Sequence, residues 1–112
     1  MWKDVQIKDA IREVKKIIDE AELMYVQADE GTIRWMKISL PSSVGRVVFG
    51  SDNKIQSNCI EIYMKWGEKK VMYSEAKFKG KNGDFAIIYP DDNLVKLKLE
   101  MIGEKYVEIC AG

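Results

Sequence analysis

Two adjacent serines, Ser42 and Ser43, follow Pro41 between two β-like runs, and a serine in such a turn could be a nucleophile. A serine nucleophile needs a base that accepts its proton and donors that stabilise the oxyanion. The sequence contains no histidine, and the Gly-x-Ser-x-Gly elbow that presents a nucleophilic serine is absent. A turn between two strands is the simpler interpretation, so we predict no catalytic residue and no enzymatic activity.

The other polar groups that could hold a ligand also lie in turn-like sequence. Asp91 and Asp92 belong to a Pro-Asp-Asp-Asn turn, which offers fewer oxygen ligands than a calcium loop requires. Two cysteines without histidine complete a tetrahedral zinc site only with the help of carboxylates. We therefore expect no metal site, no cofactor and no small-molecule substrate.

Three lysines alternate along a β-like run that enters a glycine-rich turn: Lys77, Lys79 and Lys81. They form a possible interaction surface for phosphate or acidic glycans. The interpretation we favour is a solvated strand face, since lysines on an edge strand also discourage unwanted sheet pairing. Basic and acidic residues number 18 each, whereas a nucleic-acid-binding domain usually has a basic excess. We expect no nucleic-acid partner.

The chain has two cysteines, Cys59 and Cys110, each within a β-like run. An even number of cysteines in a short chain is compatible with one disulfide that would tie down the last strand. Two buried free thiols in a cytosolic protein are an equally good interpretation. The residues alone leave both open.

Residues 4–30 have the period of one long amphipathic helix. Apolar residues recur in steps of three and four from Ile7 to Ala28, and the opposite face is charged. Asp4 is a reasonable N-cap and Gly31 a reasonable residue after the helix end. Because the apolar stripe is one-sided, the helix must lie against another apolar element.

Residues 32–111 are β-like throughout. Seven runs are rich in branched and aromatic residues: 32–40, 44–49, 55–66, 70–79, 84–89, 94–102 and 105–110. Short turn sequences separate them, which favours antiparallel neighbours. We predict a single α+β domain over 1–112, with the helix packed on an antiparallel meander or small sandwich of about seven strands.

The alternation changes phase inside the first β-like run. Ile33 and Trp35 share one phase, whereas Met36, Ile38 and Leu40 share the other. A β-bulge near Trp35 and Met36 would explain the change and would turn Trp35 outward, as part of a possible interaction surface. Packing of Trp35 beneath the helix is the more conservative alternative.

Four segments give the chain a resemblance to the soluble part of archaeal type IV pilin-like proteins, which carry a class III signal peptide. They are the helix end IIDEAELMYVQADEG, the strand and Leu-Pro corner ISLPSSVGRVVFG, the strand pair NCIEIYMKWGEKKVMYSEAKFKG and the closing YVEICAG. The resemblance implies a structural subunit of an extracellular filament or surface appendage, used in adhesion or motility, that contacts other pilin-like subunits through the N-terminal helix.

Such pilins begin with a basic leader and an apolar helix of about 20 residues that anchors the subunit in the membrane. The sequence starts instead at Met1-Trp2-Lys3-Asp4, so the resemblance implies a fragment whose only membrane contact lies in a missing segment. It also implies a location outside the cell or at its surface, where a Cys59–Cys110 disulfide would form. If Met1 is the native start, we expect a cytoplasmic location. The alternative function is a small intracellular or viral protein-binding module.

Overall fold

The computed structural model describes residues 2–51, 57–81 and 83–111. In this part of the chain one α-helix precedes eight strands: α1 (Trp2–Gln27), β1 (Ile33–Lys37), β2 (Val44–Gly50), β3 (Cys59–Met64), β4 (Lys69–Tyr73), β5 (Phe78–Gly80), β6 (Phe85–Ile88), β7 (Leu94–Glu100) and β8 (Tyr106–Ala111). The α+β class and the helix-first order are as predicted.

The eighth strand arises because the predicted run 70–79 divides into β4 and β5. Ser74 breaks the run: its hydroxyl accepts a hydrogen bond from the Ala76 amide and donates one to the Glu22 carboxylate of α1. The same carboxylate accepts the Glu75 amide at 2.8 Å. A serine turn held by a helix carboxylate therefore ends one strand and redirects the chain to the other sheet.

The helix ends at Gln27, three residues before the predicted boundary. Residues 29–32 form a separate turn, in which the Thr32 amide and hydroxyl both donate to the Asp29 carbonyl. Gly31 adopts a φ of 86° in this turn, a conformation that residues with a Cβ rarely adopt. Gly31 therefore follows the helix as expected, but it belongs to a separate turn and does not cap the last helical turn.

The strands form two four-stranded sheets, sheet A in the order β1-β7-β8-β5 and sheet B in the order β4-β3-β2-β6. All pairs are antiparallel except β5 with β8, which is parallel. β1 and β2 are neighbours in sequence but lie in different sheets. The small sandwich, and not the simple meander, therefore describes the topology.

The apolar stripe of α1 lies against both sheets and completes one core. Phe49 of sheet B meets Phe78 of sheet A edge to face, with ring centroids 5.3 Å apart. The helix contacts β3 of sheet B and β7 and β8 of sheet A. Its buried apolar residues join the inward residues of both sheets in one cluster: Ile7, Ala10, Val14, Ile17, Ile18, Ala21 and Met24. The helix is thus the third wall of the sandwich.

Away from the helix the two sheets are joined where β5 meets β6. Gly80 in β5 forms a bridge with Gly83, and its backbone lies so close to β6 that a Cβ would collide with the Phe85 carbonyl oxygen. Gly50 of β2 is also confined, although less tightly, since a Cβ there would lie 2.8 Å from the Asp84 and Phe78 carbonyl oxygens. The absence of side chains at these positions lets the two sheets meet.

We predict that Gly80→Ala lowers the free energy of unfolding by about 3 kcal/mol, because the added methyl group meets backbone and not a movable side chain. Gly83→Ala is the matched control, since a Cβ there meets no atom within 4 Å. Urea unfolding followed by tryptophan fluorescence measures both. Equal effects of the two substitutions would contradict the close approach.

Polar side chains of α1 hold the loops of the sandwich against the helix. The buried Glu13 carboxylate accepts the Ser39 amide at 2.9 Å and the Lys16 ammonium at 2.8 Å. Burial raises the pKa of Glu13, but the hydrogen bonds from Lys16 and from Ser39 outweigh it, so the pKa lies below its ordinary value near 4.5. The ionised carboxylate is therefore the form that the fold stabilises.

Because the folded-state pKa of Glu13 is lowered, its contribution to stability is present at neutral pH and is lost as the pH falls below about 4.5. We predict that Glu13→Gln lowers the free energy of unfolding at pH 7 by about 1–2 kcal/mol. The difference from the wild-type protein should shrink as the pH falls to about 3. Denaturant unfolding at several pH values measures it, with the exposed Glu30→Gln as control. A difference that stays constant with pH would refute the role of the charge.

Candidate interaction surfaces

The serine pair lies in a turn that docks on the helix. The Val44 amide donates to the Pro41 carbonyl and closes the turn. The buried Ser43 hydroxyl donates to the Gln6 side-chain oxygen of α1 at 2.7 Å. An amide oxygen cannot activate a hydroxyl as a base does, so the geometry gives Ser43 a structural role.

Trp35 points to solvent from a strand without a bulge. The pairing of β1 with β7 is regular from Ile33 to Lys37, so the predicted bulge near Trp35 is wrong. Ile33 and Trp35 lie on the outer face of sheet A, whereas Ile38 and Leu40, after the strand, are buried. The phase change therefore reflects outward Ile33 and Trp35 on an edge strand, and inward residues that become fully buried only after the strand ends. Trp35 is 58% exposed, with the Lys96 ammonium 5.9 Å from its ring centroid.

The three lysines lie at the opposite edge of sheet A from Trp35. Lys79 is in β5, whereas Lys77 precedes it and Lys81 follows it. Lys79 pairs with Glu104 at 3.4 Å and lies 4.7 Å from the Tyr106 ring centroid, while Lys77 and Lys81 are exposed. With β7 and β8 between them, Trp35 and Lys79 are about 14 Å apart across the sheet. The structure does not bring the predicted surface residues together.

The outer face of sheet B carries a surface that the sequence analysis missed, and we call it the aromatic face. It consists of the outward apolar and aromatic residues of all four strands and of Tyr89, directly after β6: Val48, Tyr63, Val71, Tyr73, Phe85, Ile87 and Tyr89. The same face also carries Arg46, Cys59, Lys69 and Glu61, and Glu61 stands between Val48 and Val71. Tyr73 is 68% exposed, and Val71, Phe85 and Tyr89 are also exposed. Exposed aromatic side chains grouped on one face of a sheet are typical of protein-binding surfaces.

Charged side chains from β2, β3 and β4 surround Tyr63 on the aromatic face. The Arg46 guanidinium stacks 4.0 Å from the Tyr63 ring centroid, and the Tyr63 hydroxyl donates to Glu61 at 3.1 Å. The hydrogen bond and the charge of Glu61 raise the pKa of Lys69, whose ammonium lies 3.1 Å from that carboxylate. Aromatic side chains interspersed with charged groups offer both apolar contact and charge-assisted hydrogen bonds, so the arrangement suits binding.

The predicted Cys59–Cys110 disulfide is not present, because both residues are free thiols. Cys59 lies in β3 on the outer face of sheet B, where it pairs with Tyr73. Cys110 lies in β8 on the outer face of sheet A, opposite Lys96. A disulfide requires Cα atoms within about 7 Å, whereas stacked sheets are about 10 Å apart and these side chains point away from each other.

The described residues contain no group of three or more metal-ligating His, Cys, Asp or Glu side chains. Among them, no helix combines the length and apolar character needed to cross a bilayer. No family model, no curated protein and no solved structure matches the chain.

The two thiols should differ in reactivity. Burial and the nearby Glu61 carboxylate raise the pKa of the Cys59 thiol, which disfavours the reactive thiolate. We predict that Cys59 reacts about tenfold or more slowly with Ellman's reagent than the half-buried Cys110. Cys110→Ser leaves the slow thiol and Cys59→Ser the fast one, which assigns the two rates. Unreduced protein unfolded in denaturant should titrate two thiols, and no titratable thiol would reveal a disulfide.

Proposed function

We propose that the protein is the β-domain of a subunit of an extracellular type IV pilus-like filament, which acts in adhesion or motility by assembly and not by catalysis. The observation that carries the proposal is the packing of the N-terminal helix along both sheets as the third wall of the sandwich. A helix followed by β-strands is also the element order of the four segments that carry the resemblance to archaeal pilin-like proteins. The proposed partners are other pilin-like subunits, contacted through the N-terminal helix.

A subunit that assembles through its helix needs a β-domain held rigidly on that helix. Hydrogen bonds join α1 to the loops of both sheets along its length. Gln6 accepts from Ser43, Glu13 from the Ser39 amide and Glu22 from Ser74, and the Tyr25 hydroxyl donates to the Lys105 carbonyl. Since these contacts involve three different loops, the position of the helix sets the position of both sheets.

The aromatic face gives such a subunit a second surface. It lies on the outer side of sheet B, whereas the apolar stripe of the helix is buried in the core. The exposed Tyr73 and Phe85 can therefore contact a neighbouring subunit or an adhesion target without any change in the fold. Lys69 and Arg46 beside Tyr63 supply charged groups.

Fractionation of the cells that encode the protein tests the proposal. Filaments sheared from the cell surface should contain its tryptic peptides, and antibodies raised against the folded domain should label the filaments in electron micrographs. Cells lacking the gene are the control for both measurements. Detection of the protein in the cytosolic fraction alone would overturn the proposal.

The free thiols favour a second candidate, a small intracellular protein-binding module that uses the aromatic face. Free cysteines are the usual state in reducing compartments, whereas secreted domains of this size commonly form disulfides. Cytosolic recovery supports this second function. A Tyr73→Ser and Phe85→Ser double variant should then fail to retain the partner that the wild-type protein retains, while a Lys77→Ser control should retain it.

A further inference from the structure

The charges near the C-terminal end of α1 are opposite in sign to those that the helix dipole favours. Between Lys16 and Arg34 the chain has five acidic residues and no basic one: Asp19, Glu20, Glu22, Asp29 and Glu30. The last turn of the helix has no basic residue either. Because the C-terminal end of a helix carries partial negative charge, local stability would favour lysine or arginine there. The negative charge at this end calls for another explanation.

We define the acidic pole as the surface at the C-terminal end of α1. Its exposed apolar side chains are Leu23, Val26 and Ile102, of which Val26 and Ile102 are 77% and 70% exposed. Ile102 belongs to the turn between β7 and β8, which the Tyr25–Lys105 hydrogen bond ties to the helix.

The acidic pole keeps an excess of negative charge. Asp19, Asp29 and Glu30 form no ion pair within the described residues, whereas Glu20 pairs with Arg34 at 3.4 Å. Lys105 is the other cation here, and it lies over the Tyr25 ring. Asp19 lies one helical turn before Leu23, and Asp29 and Glu30 follow the helix end, so three carboxylates without an ion-pair partner lie near these apolar side chains in the chain.

We define the basic pole as the surface at the N-terminal end of α1. Trp2 is 62% exposed and packs on Trp66 of the β3–β4 turn, with ring centroids 5.7 Å apart. The Lys3 ammonium lies 5.3 Å from the Trp66 centroid, and Val5 is exposed beside it. The basic pole is thus aromatic at its centre.

Lysines from two elements surround this aromatic centre. Lys3, Lys8 and Lys65 form no ion pair within the described residues, while Lys70 pairs with Glu68 at 3.3 Å. Asp4 and Glu68 lie among these lysines, and the carboxylate of Asp9 in the same helix is paired with Arg12 at 3.0 Å. The excess charge here has the opposite sign to that of the acidic pole.

The two poles lie at opposite ends of the molecule. The 26 residues of α1 span about 39 Å at 1.5 Å per residue. The molecule measures 43 × 27 × 22 Å along its principal axes, so a helix of this length fits only along the longest one. A contact between the poles of two copies therefore joins them end to end. Because the joined surfaces differ, each contact leaves one free pole at either end and the chain can extend.

We propose that the basic pole of one copy binds the acidic pole of a second copy of this chain. Trp2 and Val5 of the first copy pack against Val26 and Ile102 of the second, while the unpaired lysines face the unpaired carboxylates. The inference rests on the proposed function for its setting, since it gives filament subunits an axial contact between β-domains. It is tested with purified protein, whereas the proposed function is tested by cell fractionation. Either result can therefore be negative while the other is positive.

Charge reversal at each pole tests the contact. The acidic-pole variant carries Asp19→Lys, Asp29→Lys and Glu30→Lys, and the basic-pole variant carries Lys3→Glu, Lys8→Glu and Lys65→Glu. Both sets bring the charges near the helix ends into line with the helix dipole, so neither should unfold the protein, and circular dichroism checks this. Any loss of association then reports on the contact itself.

Sedimentation velocity at protein concentrations up to about 1 mM gives the association state, and Debye screening sets the salt dependence. In about 20 mM salt the wild-type mass should rise above 12.9 kDa with concentration, and the apparent Kd should weaken about tenfold in 0.5 M salt. Each pole variant alone should stay monomeric. An equimolar mixture of the two should associate. The acidic-pole variant is positive at both poles and the basic-pole variant is negative at both, so each repels its own copies and attracts the other.

A third variant, Lys37→Glu, Lys77→Glu and Lys81→Glu, is the matched control, with the same net charge as the basic-pole variant but intact poles. It should still self-associate. In the mixture, amide chemical-shift changes should be confined to the two poles. A monomeric wild-type protein at about 1 mM in low salt would overturn the inference. A control variant as monomeric as the basic-pole variant, or shift changes spread over the whole surface, would overturn it as well.

Discussion

Burial of the apolar stripe of α1 between the two sheets is the constraint on which the rest of the structure depends. Neither sheet alone covers the stripe, and without the helix the inward residues of β3 and β7 would face water. Burial of an aliphatic side chain such as Ile17 or Val14 contributes about 1.5–3 kcal/mol. The same helix carries Glu13 and Glu22, whose carboxylates hold the loops of the sandwich in place. The helix α1 therefore supplies both the apolar packing of the core and the carboxylates that fix the loops.

The position of the helix also decides which surfaces remain for contacts with other molecules. Since the apolar stripe is used inside the domain, other proteins can meet only the charged side of the helix, its two ends and the outer faces of the sheets. Sheet B presents Tyr73 and Phe85 there, whereas the outer face of sheet A carries lysine and glutamate beside Trp35. The two outer faces are thus chemically different, so each suits a contact of a different kind.

Some elements could be predicted because their signal is local. In the sequence, Ile60, Ile62, Met64 and Trp66 alternate with polar residues, as do Val95, Leu97, Leu99 and Met101, which predicts that each set shares the inward face of its strand. The prediction is correct from Ile60 to Met64 and from Val95 to Leu99, as it is for the stripe of α1. The signal failed at the strand ends: Met101 is exposed beyond β7, and Trp66 lies in a turn against Trp2. Alternation reports which residues share a face but not where the strand stops, since a turn held by distant side chains can end it.

The sequence by itself determined the element types, the amphipathic helix and the inward face of most strands, because these follow from hydrophobic periods within one element. Only the tertiary structure decided the strand order, the division of residues 70–79 between two sheets and the outer positions of Cys59 and Cys110 on opposite sheets. It also assembled the aromatic face, whose residues come from four strands spread over 42 positions, from Val48 to Tyr89. Such features depend on contacts between residues far apart in the chain, and the hydrophobic period within one element contains no information about those contacts.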